Sequence, residues 1–171
     1  LALTGELADG WLGNSFIPEL AEVFLGPIRD AAVSAGRQLG DINLVAPVAL
    51  EFADNATDAA VAVRRHAAGY AFTIGAMGAS GRNFYNEAFT RLGYGEGVRA
   101  VEALWRAGDR DAARDAVPDD LGRLTNLVGT DEMIRERLER YRAAGISTLL
   151  VKLDTPFDEQ LRALDRLLAL L

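Results

Sequence analysis

The sequence is poor in the residue types on which many catalytic and structural sites depend. Its 171 residues include no cysteine, one histidine and one lysine. Without cysteine the chain can form neither a disulfide framework nor a thiolate zinc site, and it has no thiol nucleophile. No apolar run approaches the ~18 residues that cross a bilayer. We therefore expect a cytoplasmic protein with no membrane partner and no metal site.

Positive charge is also scarce, and it is unevenly placed. The net charge is −7, and residues 1–60 carry nine acidic side chains against only Arg29 and Arg37. A protein that binds nucleic acid needs clustered lysine and arginine to neutralise phosphates. The charge distribution therefore argues against a nucleic-acid partner, and a solvated acidic surface is the simplest interpretation of the acidic front half.

What the chain does contain is an alternation of strand-like and helical segments. Residues 10–17 and 146–153 are typical of short strands, and residues 42–52 form a nearly continuous apolar run, as in a parallel strand covered on both faces. Pro47 interrupts that run, although proline in a sheet is normally confined to an edge, a bulge or the start of a strand. The three segments are the predicted strands.

Helices are predicted around these strands. Residues 1–8 resemble the tail of a helix, and an apolar stripe runs over residues 18–36. Asn55 or Thr57 caps the next helix, and Thr130 caps one that ends at Gly145. No strand is predicted over residues 82–120, and residues 127–130 are predicted as a turn. The other predicted helices span residues 86–92, 98–107 and 110–116, a segment that opens at Pro118, and residues 156–171.

Strands that alternate with helices form βαβ units and a parallel sheet. The chain opens at Leu1, without methionine and inside a predicted helix. We therefore expect a fragment, the later part of a larger parallel α/β protein, with some functional residues upstream. The alternation does not distinguish a closed barrel from an open sheet. Gly75, Gly78 and Gly81 have the wrong spacing for a dinucleotide fingerprint, so they indicate a loop or a close packing point.

Candidate binding residues lie at the ends of the predicted strands. Ligands of parallel sheets bind at the carboxyl ends of the strands. Lys152, the only lysine, lies near the end of the last strand, and Asn14, Ser15 and Glu51 lie near the ends of the other two. We expect these residues to face a common mouth, where Lys152 holds an anionic group. An ordinary polar strand end would explain the same residues.

Other polar residues have structural explanations. His66 lies mid-helix beside two arginines, where a structural role is the simpler interpretation. The acidic pairs at residues 119–120 and 131–132 lie at predicted helix starts, where they complement the helix dipole. The sequence therefore identifies no catalytic residue.

Five segments follow one another in a distinctive order and spacing. They are Ala-Asp-Gly-Trp at 8–11, Met-Gly-Ala-Ser-Gly-Arg-Asn-Phe-Tyr-Asn at 77–86, Ala-Val-Pro-Asp-Asp-Leu at 116–121, Leu-Val-Gly-Thr at 127–130 and Arg-Ala-Ala-Gly-Ile-Ser-Thr-Leu-Leu-Val at 142–151. Together they resemble the luciferase-like oxidoreductase superfamily, and within it the branch that uses the deazaflavin coenzyme F420. The resemblance covers essentially all 171 residues.

This resemblance implies a TIM-type (β/α)8 barrel. Residues 1–171 would form one C-terminal part of that domain, about strands 6 to 8, with a helical insertion between the last two. It also implies an F420-dependent oxidoreductase that transfers a hydride between the coenzyme and a small organic substrate. Two alternatives remain open, namely an FMN-dependent luciferase-like monooxygenase and a non-catalytic half-barrel that serves as an interaction module.

The resemblance carries few individual roles to this chain. Arg82, Asn83 and Tyr85 match a family segment near the insertion, and they are expected either to contact substrate or an anion or to fix a loop. Most cofactor contacts and acid–base groups of the family come from the first five strands. The chain alone is therefore expected to be inactive and to need the missing N-terminal half of the barrel or another copy. The intact protein is expected to be a homo-oligomer.

Overall fold

Parallel strands alternate with helices along the chain, which confirms the predicted α/β class. The structure is a computed structural model that describes residues 1–77 and 83–171. Its strands are β1 (Gly10–Leu12), β2 (Asn43–Phe52), β3 (Leu127–Gly129) and β4 (Thr148–Lys152). All the strand pairs in this part of the chain are parallel, and each of them includes β2.

Two of the helices begin at capping residues that the sequence indicates. The Asn55 Oδ1 atom accepts hydrogen bonds from the N–H groups of Thr57 and Asp58, and Thr130 caps a later helix through Met133.

No helix in the described ranges is long and apolar enough to cross a membrane. The α-helices are α1 (Ala2–Leu7), α2 (Glu22–Ser34), α3 (Ala56–Ala76), α4 (Phe84–Phe89), α5 (Gly95–Arg106), α6 (Arg110–Asp115), α7 (Asp120–Leu124), α8 (Asp131–Ala143) and α9 (Phe157–Leu168).

The hydrogen bonds of β2 show which strand lies on each of its edges. Backbone groups of alternate residues point to the same edge of a strand. The N–H groups of Asn43 and Ala53 donate to the carbonyls of Asp9 and Gly129, at 2.9 and 2.8 Å. The Leu44 N–H points to the opposite edge and donates to Ser147 Oγ at 2.9 Å. Strands β1 and β3 therefore share one edge of β2, and β4 lies on the other.

A gap separates β1 from β3 along that shared edge. Strand β1 pairs only as far as Val45, and β3 begins to pair at Leu50. Pro47 lies in this gap, where its missing N–H leaves no strand acceptor unpaired. Pro47 is therefore tolerated inside β2 because no strand pairs with this edge of β2 at that point.

The Asn126 side chain takes the place of a strand in this gap. Its Oδ1 atom accepts a hydrogen bond from the Ala49 N–H at 2.9 Å. Its Nδ2 atom donates to Gly122 O and to Thr125 Oγ1, both at 3.0 Å. Because Asn126 is buried, these bonds satisfy polar groups that water cannot reach.

The two faces of β2 have different surroundings. Its even-numbered side chains from Leu44 to Leu50 are buried in the core. The register places Leu12 beside Val45 and Leu150 beside Pro47 on the opposite face, where Leu12 is 54% and Leu150 50% exposed. We call this second surface the open sheet face. It exposes the apolar side chains of Leu12 and Leu150, although Pro47 between them is buried.

Two predictions about the backbone are wrong. Strand β1 ends at Leu12 rather than at residue 17, because the chain turns at Ser15, whose φ is 56°. Residues 127–129, predicted as a turn, form the buried strand β3. Gly75, predicted to mark a loop or a close packing point, is a close packing point within α3, since a Cβ atom there would lie 2.2 Å from Trp105 Cγ. Gly78 and Gly81 lie outside the described residues.

Replacing Asn126 by alanine should destabilise the fold. The change leaves the partly buried Ala49 N–H without its acceptor, so we expect the free energy of unfolding to fall by about 1–3 kcal/mol. Urea denaturation measures this loss. Asn14→Ala is the matched control, since Asn14 is exposed, and it should change stability by less than about 0.5 kcal/mol. Equal stability of the two variants would contradict the bridging role of Asn126.

Candidate functional site

A cavity lies where β1 and β4 end alongside the longer strand β2. Strand β4 ends at Lys152, which is in register with Ala49, while β2 continues to Phe52. The cavity has a volume of about 220 Å³. We call it the polar cavity, and the residues that line it are Asn14, Ser15, Pro47, Ala49, Tyr70, Thr73, Tyr85, Asn126 and Lys152.

Lys152 is the one charged residue in the lining of the polar cavity. Among residues 1–77 and 83–171, no hydrogen bond or ion pair engages its ammonium group. Many of the arginines, by contrast, are paired with carboxylates or backbone carbonyls. An ammonium group without a protein partner beside a cavity is available to an anionic ligand, so the predicted anion-binding role of Lys152 remains a prediction with suitable geometry.

Asn14 and Ser15 form the rim of the cavity beyond β1. The Gly13 N–H donates to Val45 O at 2.8 Å, which holds the start of this loop against β2. Ser15 then adopts a φ of 56°, a left-handed conformation that is uncommon for residues other than glycine. Such backbone strain is enriched at ligand-binding sites. The structure therefore brings Asn14, Ser15 and Lys152 together, as the strand-end argument predicts.

The wall of the polar cavity consists of residues that the sequence argument missed. Tyr70 Oη lies 2.7 Å from Thr125 Oγ1, which in turn donates to Leu121 O at 2.5 Å. Asn126 is held by the three hydrogen bonds described above. The only sequence feature that could have indicated this wall is the polar pair Thr125-Asn126, directly before an apolar segment. These bonds fix a neutral, rigid wall opposite Lys152.

A second and larger cavity adjoins the first. Its volume is about 440 Å³, and it shares Asn14, Ser15 and Tyr85 with the polar cavity. We call it the apolar cavity. Apolar and aromatic side chains make up most of the remaining lining, namely Leu1, Trp11, Leu12, Phe24, Ala88, Phe89 and Leu92.

Asn83, another of the predicted residues, does not join this site. The Asn83 Oδ1 atom caps α4 by accepting from the Tyr85 N–H at 2.9 Å, and its Nδ2 atom donates to the carbonyls of Thr73 and Ile74 at 3.0 Å. Its polar atoms therefore bind backbone, and it does not line the polar cavity. Arg82 lies outside the described residues, so its binding role remains a prediction.

Glu51 also lies apart from the polar cavity. Its carboxylate contacts the Arg65 guanidinium, and its Oε2 atom lies 2.8 Å from His66 Nε2. Burial alone would raise the pKa of Glu51, but the hydrogen bonds from Arg65 and His66 outweigh it and hold that pKa below its ordinary value. This cluster gives His66 the structural role that its sequence context indicates. Within the described ranges, no group of three potential metal ligands is present.

Glu51→Gln should reduce stability near neutral pH and have less effect in acid. A carboxylate whose pKa is lowered by folding stabilises the fold above its unfolded pKa, near 4.5, and this contribution is lost as the pH falls through the folded value. We expect a loss of at most about 1 kcal/mol at pH 7, because the pair is partly exposed. Thermal unfolding from pH 7 to pH 3 measures it, with the exposed Glu139→Gln as control. A difference between wild type and Glu51→Gln that grows in acid would contradict this assignment.

Comparisons with known proteins agree with the resemblance noted in the sequence. The sequence model of the luciferase-like monooxygenase family matches residues 1–148. The chain is 29% identical over 153 residues to Rv3520c of Mycobacterium tuberculosis, whose name proposes a coenzyme F420-dependent oxidoreductase. That match covers 88% of this chain and 43% of the relative.

Two solved structures share the fold. One is the coenzyme F420-dependent tetrahydromethanopterin reductase from Methanopyrus kandleri, with a TM-score of 0.68, 21% identity, and coverage of 96% of this chain and 45% of that one. The other is an F420-dependent secondary alcohol dehydrogenase in complex with an F420–acetone adduct, with a TM-score of 0.62, 15% identity, and coverage of 99% and 44%. The chain thus spans less than half the length of each of these relatives.

Proposed function

The chain belongs to the luciferase-like monooxygenase family, and we propose that the intact protein is a coenzyme F420-dependent oxidoreductase. It would transfer a hydride between the coenzyme and a small organic substrate. The observation that carries this proposal is the polar cavity at the carboxyl ends of the strands, with the unpaired Lys152 on its rim. The similarity to Rv3520c supports F420 as the coenzyme.

We further propose that residues 1–171 form the C-terminal part of a barrel, about strands 6 to 8. Two observations support this placement. The chain covers less than half of the relatives that it matches, and the open sheet face exposes Leu12 and Leu150, which a closed barrel would cover. In this proposal the missing strands, or another copy of the chain, complete the barrel, and the intact protein is a cytoplasmic homo-oligomer.

The cavity residues fit a coenzyme or substrate that carries an anionic or carbonyl group. Lys152 and the amide of Asn14 can donate hydrogen bonds to such a group, while Tyr70 and Asn126 are held in place by their own hydrogen bonds. When bound, coenzyme F420 supplies the hydride chemistry. The chain's own residues would bind and orient the ligand. Acid–base groups would come from the part of the barrel outside residues 1–171.

Each of two other functions has one observation in its favour. The matching family model is that of the luciferase-like monooxygenases, which keeps an FMN-dependent monooxygenase open. The apolar side chains exposed on the open sheet face would also suit a non-catalytic interaction module.

Titration of the purified chain with coenzyme F420 and with FMN, followed by fluorescence, separates these functions. We expect F420 to bind in preference to FMN, but with a dissociation constant weaker than about 1 µM, because most contacts lie in strands outside this chain. The urea-unfolded chain is the control. Preference for FMN over F420 would favour the monooxygenase. Submicromolar binding of F420 would contradict the placement of the main contacts outside the chain.

The chain alone should associate through its open sheet face. Exposed strand edges and apolar surface favour pairing with another copy. We expect sedimentation velocity to show oligomers whose fraction rises with concentration and falls in the double variant Leu12→Thr/Leu150→Thr. The matched control is Val33→Thr/Val61→Thr, since these exposed valines lie on α2 and α3 instead. A monomer at every concentration would contradict the proposal.

A further inference from the structure

The polar and apolar cavities meet at three shared residues, so they can hold two parts of one ligand. These residues are Asn14, Ser15 and Tyr85. We propose that the joint cleft binds an amphipathic carboxylate, with its carboxylate at Lys152 and its apolar body in the larger cavity. This inference rests on the proposed function, because it names the class of substrate that the same site would take.

The polar end selects a single negative charge. Lys152 is the only charged residue in the polar cavity, and the other polar groups there are hydroxyls and amides. A dianionic phosphate would need further cations to balance its second charge, and the described lining offers none. A cationic ligand would be repelled by the Lys152 ammonium. A carboxylate therefore matches the charge of this end.

The apolar end selects a hydrocarbon or aromatic body. Trp11 and Phe24 lie with ring centroids 5.9 Å apart, and Phe89 is buried in the same lining. Glu87 and Arg91 also reach this cavity, but they lie 3.7 Å apart and pair with each other. Their opposite charges offset one another, so the apolar cavity gains affinity chiefly by removing apolar ligand surface from water.

The two ends together exclude simpler ligands. A purely apolar molecule would form no hydrogen bond or ion pair with the exposed Lys152 ammonium at the mouth of the cleft. A short carboxylate such as acetate would leave the 440 Å³ cavity unfilled. Only a ligand with both features satisfies both ends, and its carbons next to the carboxylate would pass the shared residues Asn14 and Ser15.

The experiment titrates the chain with 8-bromooctanoate and with 8-bromooctan-1-ol, which differ in the charged group. Bromine quenches nearby tryptophan fluorescence, and Trp11 lines the apolar cavity. Trp105 stacks against Arg110 at 3.9 Å and does not line either cavity, so it contributes a constant background. We expect saturable quenching by the carboxylate. The shorter 6-bromohexanoate should bind more than about tenfold more weakly, since each buried methylene contributes about fourfold.

Lys152→Met tests the polar end. It should weaken binding of 8-bromooctanoate by about tenfold and affect binding of 8-bromooctan-1-ol much less, because only the carboxylate forms an ion pair with the ammonium. Arg135→Met makes the same charge change at an exposed position on α8 and should leave the affinity for both ligands unchanged. Circular dichroism confirms that both variants are folded.

Two results would overturn the proposal. One is the absence of saturable quenching by 8-bromooctanoate. The other is that Lys152→Met and Arg135→Met weaken the binding of 8-bromooctanoate equally. The titration contains no coenzyme, so its failure is distinct from a failure of F420 to bind. Carboxylate binding together with a preference for FMN over F420 would retain the cleft and remove the proposed F420-dependent function.

Discussion

The whole sheet depends on one strand, because every strand pair in the described ranges includes β2. With ten residues, β2 is longer than any strand that pairs with it. Strands β1 and β3 therefore both pair along one edge of β2 and leave a gap between them. The gap would expose the Ala49 N–H, and the side chain of Asn126 closes it. The same mismatch in length places Pro47 beyond the end of β1 and Ala49 level with the end of β4, where both line the polar cavity. The site is thus a consequence of unequal strand lengths.

The sequence predicts the long elements of this fold well and the short ones poorly. Strand β2 is predicted by its long apolar run, and helices α3 and α8 are predicted by their caps, Asn55 and Thr130. Strand β3 has only three residues, too few to show an alternating pattern, and its pairing depends on distant residues of β2. The early end of β1 depends on the left-handed backbone at Ser15, which serine seldom adopts and which no local motif signals.

The candidate site is predictable where it follows from topology and unpredictable where it follows from side-chain contacts. Lys152 and Asn14 lie at strand ends, and parallel strands bring their carboxyl ends to one edge. Asn126 and Tyr70 belong to a loop and a helix whose approach to the sheet no spacing encodes. Glu51 satisfies the same topological rule as Lys152, yet Arg65 and His66 engage it elsewhere. The position of a residue at a strand end therefore makes it a candidate for ligand binding. Whether its side chain is available to a ligand depends on its hydrogen-bond partners in the protein.

An anion site on a chain with a net charge of −7 requires a local explanation. At physiological ionic strength, exposed charges are screened beyond about 8 Å, so the acidic surface has little influence on a ligand already inside the cleft. The nearest unpaired charge, that of Lys152, then dominates its field. Apolar burial in the larger cavity has no preferred direction, whereas a hydrogen bond to one ammonium does. Affinity would come mainly from the apolar end and orientation from the polar end. Fixed orientation of a substrate beside a bound coenzyme is what a hydride transfer requires.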